Sequence, residues 1–149
     1  HGLEVDLGEP ALLPEDYVPD VHMRLVLYKR IASAADENEL KELQTELIDR
    51  FGLLPPSAKN LFITTELKLF AGSLGINKIE AHEDGGRIIF NKNPRIDIDQ
   101  LLLLLQRQSS VFKMSGSEKL LFTVNLTTIE NRVEYIHNII NTIAFKEAA

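Results

Sequence analysis

The sequence predicts an α+β fold. A short lead-in strand and three N-terminal helices are followed by a β-β-α-β-β-α arrangement, packed in one domain over residues 1–149. Three observations predict this. Apolar residues recur at three- and four-residue intervals in the first half, as in Leu40, Leu43, Leu47, Ile48 and Phe51. From Ile76 onward they fall into short runs divided by Gly- and Ser-containing turns, which is a hairpin pattern. A length of 149 residues with 44% hydrophobic side chains is enough to bury one core.

Each element follows from local chemistry. Leu3, Val5 and Leu7 alternate with Glu4 and Asp6, a strand period that Pro10 ends. Leu13-Pro14-Glu15-Asp16-Tyr17-Val18-Pro19-Asp20 is a turn-rich entry to a helix, with Pro19 in a first-turn position. The first helix is expected to turn Val21, Leu25, Tyr28 and Ile31 or Ala32 inward. Asp36 caps the second, with Glu39 as its capping-box partner. Gly52 suits its C-terminal turn, and Pro55 and Pro56 prevent continuation. A third helix is expected from about Ser57 to Leu74, closed by Gly75, with Leu61, Phe62, Thr65, Leu69 and Phe70 towards the core.

In the second half, Ile76 to His82 and Arg87 to Phe90 read as strands, with Glu83-Asp84-Gly85-Gly86 as the tight turn between them. Asp97 or Asp99 caps a helix through Leu101 to about Gln108. Its run from Leu101 to Leu105 is apolar all round, so burial on two sides is expected, and any exposed part would be a partner site. Strands from Phe112 to Ser115 and Leu120 to Val124 are joined by Ser115-Gly116-Ser117-Glu118. Thr127 or Thr128 caps a last helix with Ile129, Val133, Ile136, Ile140 and Ile143 or Ala144 on one stripe. The β-β-α unit thus occurs twice, which hints at a pseudo-repeat.

Composition narrows the function. A net charge of −6 opposes general nucleic-acid binding, which needs a surplus of Lys and Arg on some face. The densest basic cluster is Arg24, Lys29 and Arg30. The absence of Cys removes disulfides and thiolate metal sites and suits a cytoplasmic location. The longest apolar run is far short of the roughly 20 residues that cross a bilayer. His1-Gly2 lacks a start Met and is expected to be a cloning remnant.

Templates for catalysis do not fit. No Gly-rich loop precedes a Lys-Ser or Lys-Thr pair, so there is no nucleotide-binding P-loop. Gly85-Gly86 lies between strands and reads as a turn. The four His residues lack metal-ligand spacing. His82 and Glu83 are expected to be solvated, and His137 to lie on the polar side of the last helix. No Ser has a nucleophile-elbow setting. Asp97 and Asp99 read as helix-capping carboxylates. No catalytic, cofactor-binding or metal-ligating residue is therefore expected.

The better lead is an acidic stripe. Glu39, Glu42, Glu46 and Asp49 recur every three or four residues and share one face of the second helix, opposite its leucines. Lys41, Thr45 and Arg50 moderate it. It is either a solvated helix face or a docking surface for a basic partner, where charge sets register and partner choice more than affinity.

Three segments carry a family likeness. They are the entry Leu13 to Asp20 with Arg24-Leu25 and Tyr28-Lys29-Arg30-Ile31-Ala32; then Glu46-Leu47-Ile48-Asp49-Arg50-Phe51-Gly52-Leu53-Leu54-Pro55; then Leu74-Gly75-Ile76-Asn77-Lys78-Ile79-Glu80. Together they resemble the C-terminal domain of the bacterial transcription-repair coupling factor, over nearly the whole chain and most specifically over residues 13–80. The resemblance implies a parent that is an ATP-driven DNA translocase, which removes stalled RNA polymerase from damaged DNA and recruits nucleotide excision repair. ATP, Mg, RNA polymerase and DNA would be bound by upstream modules. This domain would be a regulatory clamp without a cofactor of its own. It would pack on the UvrB-like module of the same chain and mask the surface that binds UvrA.

On that reading Glu46, Asp49 and Arg50 form the centre of the interdomain contact and Glu42 extends it. The chain is expected to be a monomer that touches no membrane. The alternatives are an accessory DNA-binding domain, or self-association through Leu101 to Leu105 or the last helix.

Overall fold

In the computed structural model, which describes residues 2–146, the elements follow the predicted α+β order of a short strand, three helices and then β-β-α-β-β-α. The chain divides into two compact units. One spans residues 9–69. The other comprises the described residues up to Gly8 together with those from Phe70 onward.

The unit of residues 9–69 holds α1 (Val21–Ala32), α2 (Glu37–Phe51) and all but the last two residues of α3 (Pro56–Ala71). Free N–H groups at the starts of α1 and α2 find local acceptors. The Asp20 carboxylate accepts from His22 and Met23, and the Asp36 carboxylate from Glu39. Glu39 reaches back to the Ala35 N–H at 2.8 Å, one residue earlier than a regular capping box. Leu27 and Ile31 of α1 pack against Leu40, Leu43 and Leu47 of α2 and against Ala58 and Phe62 of α3. Leu13 and Val18 of the entry segment complete this core.

Two inward stripes differ from expectation. Val21 and Leu25 are 62% and 64% exposed and Leu27 is buried in their place, while Ile31 is buried as expected. α1 is apolar on several sides, so spacing alone fits more than one roll. Tertiary bonds decide it: the Tyr28 hydroxyl accepts the Leu13 N–H at 2.8 Å, and Arg24 donates to the Val18 carbonyl at 2.7 Å. In α3, Ala58, Phe62 and Leu67 are buried while Leu69 and Phe70 are partly exposed, and the helix ends at Ala71, before Leu74.

The other unit is a five-stranded sheet. Its strands are β1 (Glu4–Asp6), β2 (Ile76–His82), β3 (Gly85–Phe90), β4 (Phe112–Ser115) and β5 (Lys119–Thr123), in the order β1-β2-β3-β5-β4. β1 pairs with β2 in parallel, and the other pairings are antiparallel. The two hairpins meet through their second strands, β3 and β5, the arrangement a twofold repeat would give. Asp97 caps α4 (Ile98–Arg107) and Thr128 caps α5 (Ile129–Ile143). Phe90, Ile88, Leu120, Phe122, Ile136, Ile140 and Ile143 are buried here.

Three local readings change, and one buried charge was not foreseen. Gly85 and Gly86 are not the turn: Glu83-Asp84 turns alone, and the glycines begin β3 between β2 and β5. A Cβ at Gly85 would overlap the Phe122 carbonyl oxygen, and one at Gly86 the Glu80 carbonyl oxygen. Close strand approach therefore selects glycine here. α4 is buried on one side only, through Leu101 and Leu104, while Ile98 and Leu102 are exposed. His137 stacks on the Phe70 ring at 4.0 Å, with 20° between the planes. Arg132, on the inner face of α5, is 4% exposed and donates to the Leu7 and Leu126 carbonyls at 2.8 and 3.0 Å.

On the sheet, Glu80 accepts a two-bond fork from Arg87 at 3.0 and 3.1 Å and lies 3.0 Å from the Lys78 ammonium. Hydrogen bonds from Arg87, then Lys78, hold its carboxyl down at about 2. A carboxyl depressed in the fold stabilises it fully above the ordinary value of 4.5 and loses that contribution as pH falls towards 2. Glu80→Gln should therefore lower the urea midpoint at pH 7 and flatten its decline between pH 4.5 and 2. Gly85→Ala should cost roughly 1–3 kcal/mol in backbone strain, with the carbonyl overlap added. Its urea midpoint should fall below that of Gly116→Ala, where φ is +67° and a Cβ meets nothing within 4 Å.

Candidate interaction surface

Helical periodicity gives α2 three faces. Leu40, Leu43 and Leu47 form the buried row. Glu39, Glu42, Glu46 and Asp49 lie to one side of it and Lys41, Gln44 and Ile48 to the other. The acidic side borders α1. Between the two helices runs a shallow groove of about 420 Å³, where Val26, Lys29 and Arg30 face Glu39, Glu42 and Glu46.

Glu46 is the fixed point of this groove. Arg30 donates to its two carboxylate oxygens at 2.6 and 2.9 Å, and Arg50, one turn on, donates at 3.3 Å. The Arg30 hydrogen bonds lead in holding the Glu46 carboxyl below the usual range, and the same bonds raise the Arg30 guanidinium. Arg50 is further constrained. Its guanidinium carbon sits 5.0 Å from the Phe51 ring centre, and one nitrogen lies 3.6 Å from the Met23 sulfur.

The four residues expected at an interface therefore separate into two kinds. Glu46 and Arg50 belong to an internal network. Glu42 and Asp49, one turn before and after, carry no hydrogen bond or ion pair with the described residues. Arg30, 16 positions upstream, is the partner that pattern reading missed. The only signal for it was that the densest basic cluster lies one helix before the densest acidic stripe. Ion pairing of this exposed kind is worth at most about 1 kcal/mol, so its effect is orientation more than stability.

The end of α2 is closed from outside. The Tyr17 hydroxyl donates to the Gly52 carbonyl at 2.7 Å and lies 3.3 Å from the Leu47 carbonyl oxygen. Its ring is tilted against Phe51 at 5.8 Å, and burial pushes the hydroxyl pKa up. Gly52, at φ +93°, turns the chain so that Leu54 is buried and Leu53 is 85% exposed. The entry segment and the stop of α2, far apart in sequence, thus form one structural joint.

The profile of the TRCF domain matches residues 7–101. The chain belongs to the TRCF domain family. The transcription-repair-coupling factor of Haemophilus influenzae is 43% identical over 141 residues, 95% of this chain. That of Escherichia coli is 45% identical over 133 residues, 89% of this chain. The TRCF chain described here spans only 12% of the length of either relative. A crystal structure of the C-terminal domain of transcription-repair coupling factor has the same fold, with a TM-score of 0.67 over 95% of this chain and 93% of that one, at 24% identity.

Among the described residues of this TRCF domain, no three His, Asp or Glu side chains gather as a metal site, and no helix is long and apolar enough to cross a membrane. Tyr17→Phe removes the hydroxyl that closes α2. It should cost about 0.5–1.5 kcal/mol, read from urea unfolding followed by circular dichroism, and should speed hydrogen exchange in the last turn of α2 first.

Proposed function

We propose that this TRCF domain is a non-catalytic, autoinhibitory module that docks through the α1–α2 face onto the UvrB-like module of the longer protein, masking its UvrA-binding surface. ATP, Mg, DNA and RNA polymerase are engaged by other parts of that protein. One observation carries the reading. Glu42 and Asp49 stand without an ionic partner among the described residues, on either side of the ordered Arg30–Glu46–Arg50 network.

Such a face suits reversible docking. The fold has already oriented the centre of the patch, so binding orders few side chains. The two unpaired carboxylates supply negative charge that a basic counter-surface would neutralise, which sets register and salt sensitivity. Contacts between domains of one chain are modest and polar, as this face is. Release returns the two carboxylates to water, which solvates them, so the open state leaves no buried charge unpaired.

A second reading, self-association, is favoured by Ile98 and Leu102 on α4, which are 57% and 50% exposed. Light scattering separates it from a monomer.

The docking test is calorimetric titration of this chain against the separate UvrB-like module at two salt concentrations, followed by UvrA as competitor. Binding should weaken with salt and be displaced by UvrA. Glu42→Lys combined with Asp49→Lys should weaken it about tenfold or more at low salt. That pair is a cleaner probe than a change at Glu46, which also breaks the bonds to Arg30 and Arg50. Unchanged affinity in the double variant would remove the α1–α2 face from the contact.

A further inference from the structure

A second groove, of about 570 Å³, runs between α2 and α3 on the side of α2 away from the Glu42–Asp49 stripe. Its floor is apolar, formed by Leu40, Leu54 and Phe62 of the core. Ile48, 39% exposed, and Leu53, 85% exposed, stand at its loop end. Nothing in the packing of residues 9–69 covers these two side chains.

The charges at the rim are ordered lengthwise. The short connection through Gly52 makes α2 and α3 antiparallel, so Lys59 lies at the loop end with Ile48 and Leu53. Glu37 and Glu66 lie at the far end. Lys41 partly neutralises Glu37 at 3.6 Å, whereas Glu66 and Lys59 carry no ion pair with described residues.

From this arrangement we infer that the α2–α3 groove is a docking site for an amphipathic helix of a protein partner, oriented with its N-terminal turn over Glu37 and Glu66 and its C-terminal turn by Lys59. The inference is independent of the clamp reading, since it uses the opposite side of α2.

Three arguments identify the occupant. The walls are helical ridges, with Leu40, Gln44 and Ile48 at four-residue spacing on α2 and Lys59, Phe62 and Glu66 on α3. A third helix fills such a trough by seating one of its own ridges in it. An extended peptide would instead gain affinity by pairing with a sheet edge, and here the wall backbone is satisfied within the helices. Finally, a helix has a positive N-terminal and a negative C-terminal end, which match the acidic and basic ends of the groove. From Glu37 to Ile48 the groove admits about three helical turns, so the occupant presents apolar anchors at i, i+4 and i+7 over about 12 residues.

The test uses two fluorescent synthetic peptides of about 12 residues, each with leucines at that spacing. One carries lysines in its first turn and glutamates in its last; the other has these charges exchanged. Each is titrated against the intact chain by fluorescence anisotropy. The first peptide should bind about tenfold more tightly than the second. Leu53→Glu, at a side chain the fold leaves in water, should reduce its binding about tenfold with circular dichroism unchanged. Lys59→Glu combined with Glu66→Lys should reverse the preference between the peptides. Equal binding of both peptides, binding of neither at millimolar concentration, or no effect of Leu53→Glu would overturn the inference. So would a dimer in light scattering that Leu53→Glu dissolves, because the occupant would then be a second copy of this chain.

Discussion

The Tyr17 hydroxyl donates to the carbonyl of Gly52, 35 residues further along the chain, and the placement of the α2 faces depends on that bond. A helix C-terminus leaves carbonyls without partners, and an end without donors to them is unstable. Here an aromatic side chain from the entry segment supplies the donor, and its ring supports Phe51. With the end of α2 fixed, the direction of every α2 side chain is fixed too. Glu42 and Asp49 then fall on the α1 side, and Gln44 and Ile48 on the α3 side. The outward Leu53 and inward Leu54 depend on the same joint.

Energetically the three faces of α2 are unequal. Truncating a buried leucine such as Leu43 or Leu47 costs about 2–5 kcal/mol, against at most about 1 kcal/mol for an exposed ion pair. The helix is therefore held by its apolar row. Its two polar flanks are free to be specialised for partners, because little of the fold's stability rests on them. The Arg30–Glu46–Arg50 network orients one flank, and the lengthwise charge order polarises the other.

Local chemistry made much of this fold legible. Asp36 and Gly52 mark the ends of α2 because capping and a left-handed turn are decided within a few residues. The strands Ile76–His82 and Phe112–Ser115 have the bounds their apolar runs suggest. What stayed hidden depends on distant neighbours. The roll of α1 is chosen by Tyr28 and Arg24 bonding to the entry segment. The placement of Gly85 and Gly86 is chosen by two adjacent strands. The one-sided burial of α4 depends on having packing partners on one flank alone, a fact no run of leucines reveals. In the candidate surface, the acidic spacing on α2 was readable, while the division between engaged Glu46 and unpaired Glu42 and Asp49 required the position of Arg30.

The parallel pairing of β1 with β2 bears on how the sheet is assembled. Glu4 lies opposite Lys78, 74 positions away, whereas His82 and Gly85 are three apart and Gly85 and Thr123 are 38 apart. Each doubling of a closed loop adds only about 0.6 kcal/mol of entropy, but β1 is three residues long and recovers little of it in ladder bonds. The four antiparallel strands can nucleate from their hairpins, with β1 contributing only after the long loop has closed. The buried Arg132, which binds the Leu7 carbonyl just past β1, then acts as a latch on the longest-range pairing in the sheet, and holds a strand whose own ladder is too short to secure it.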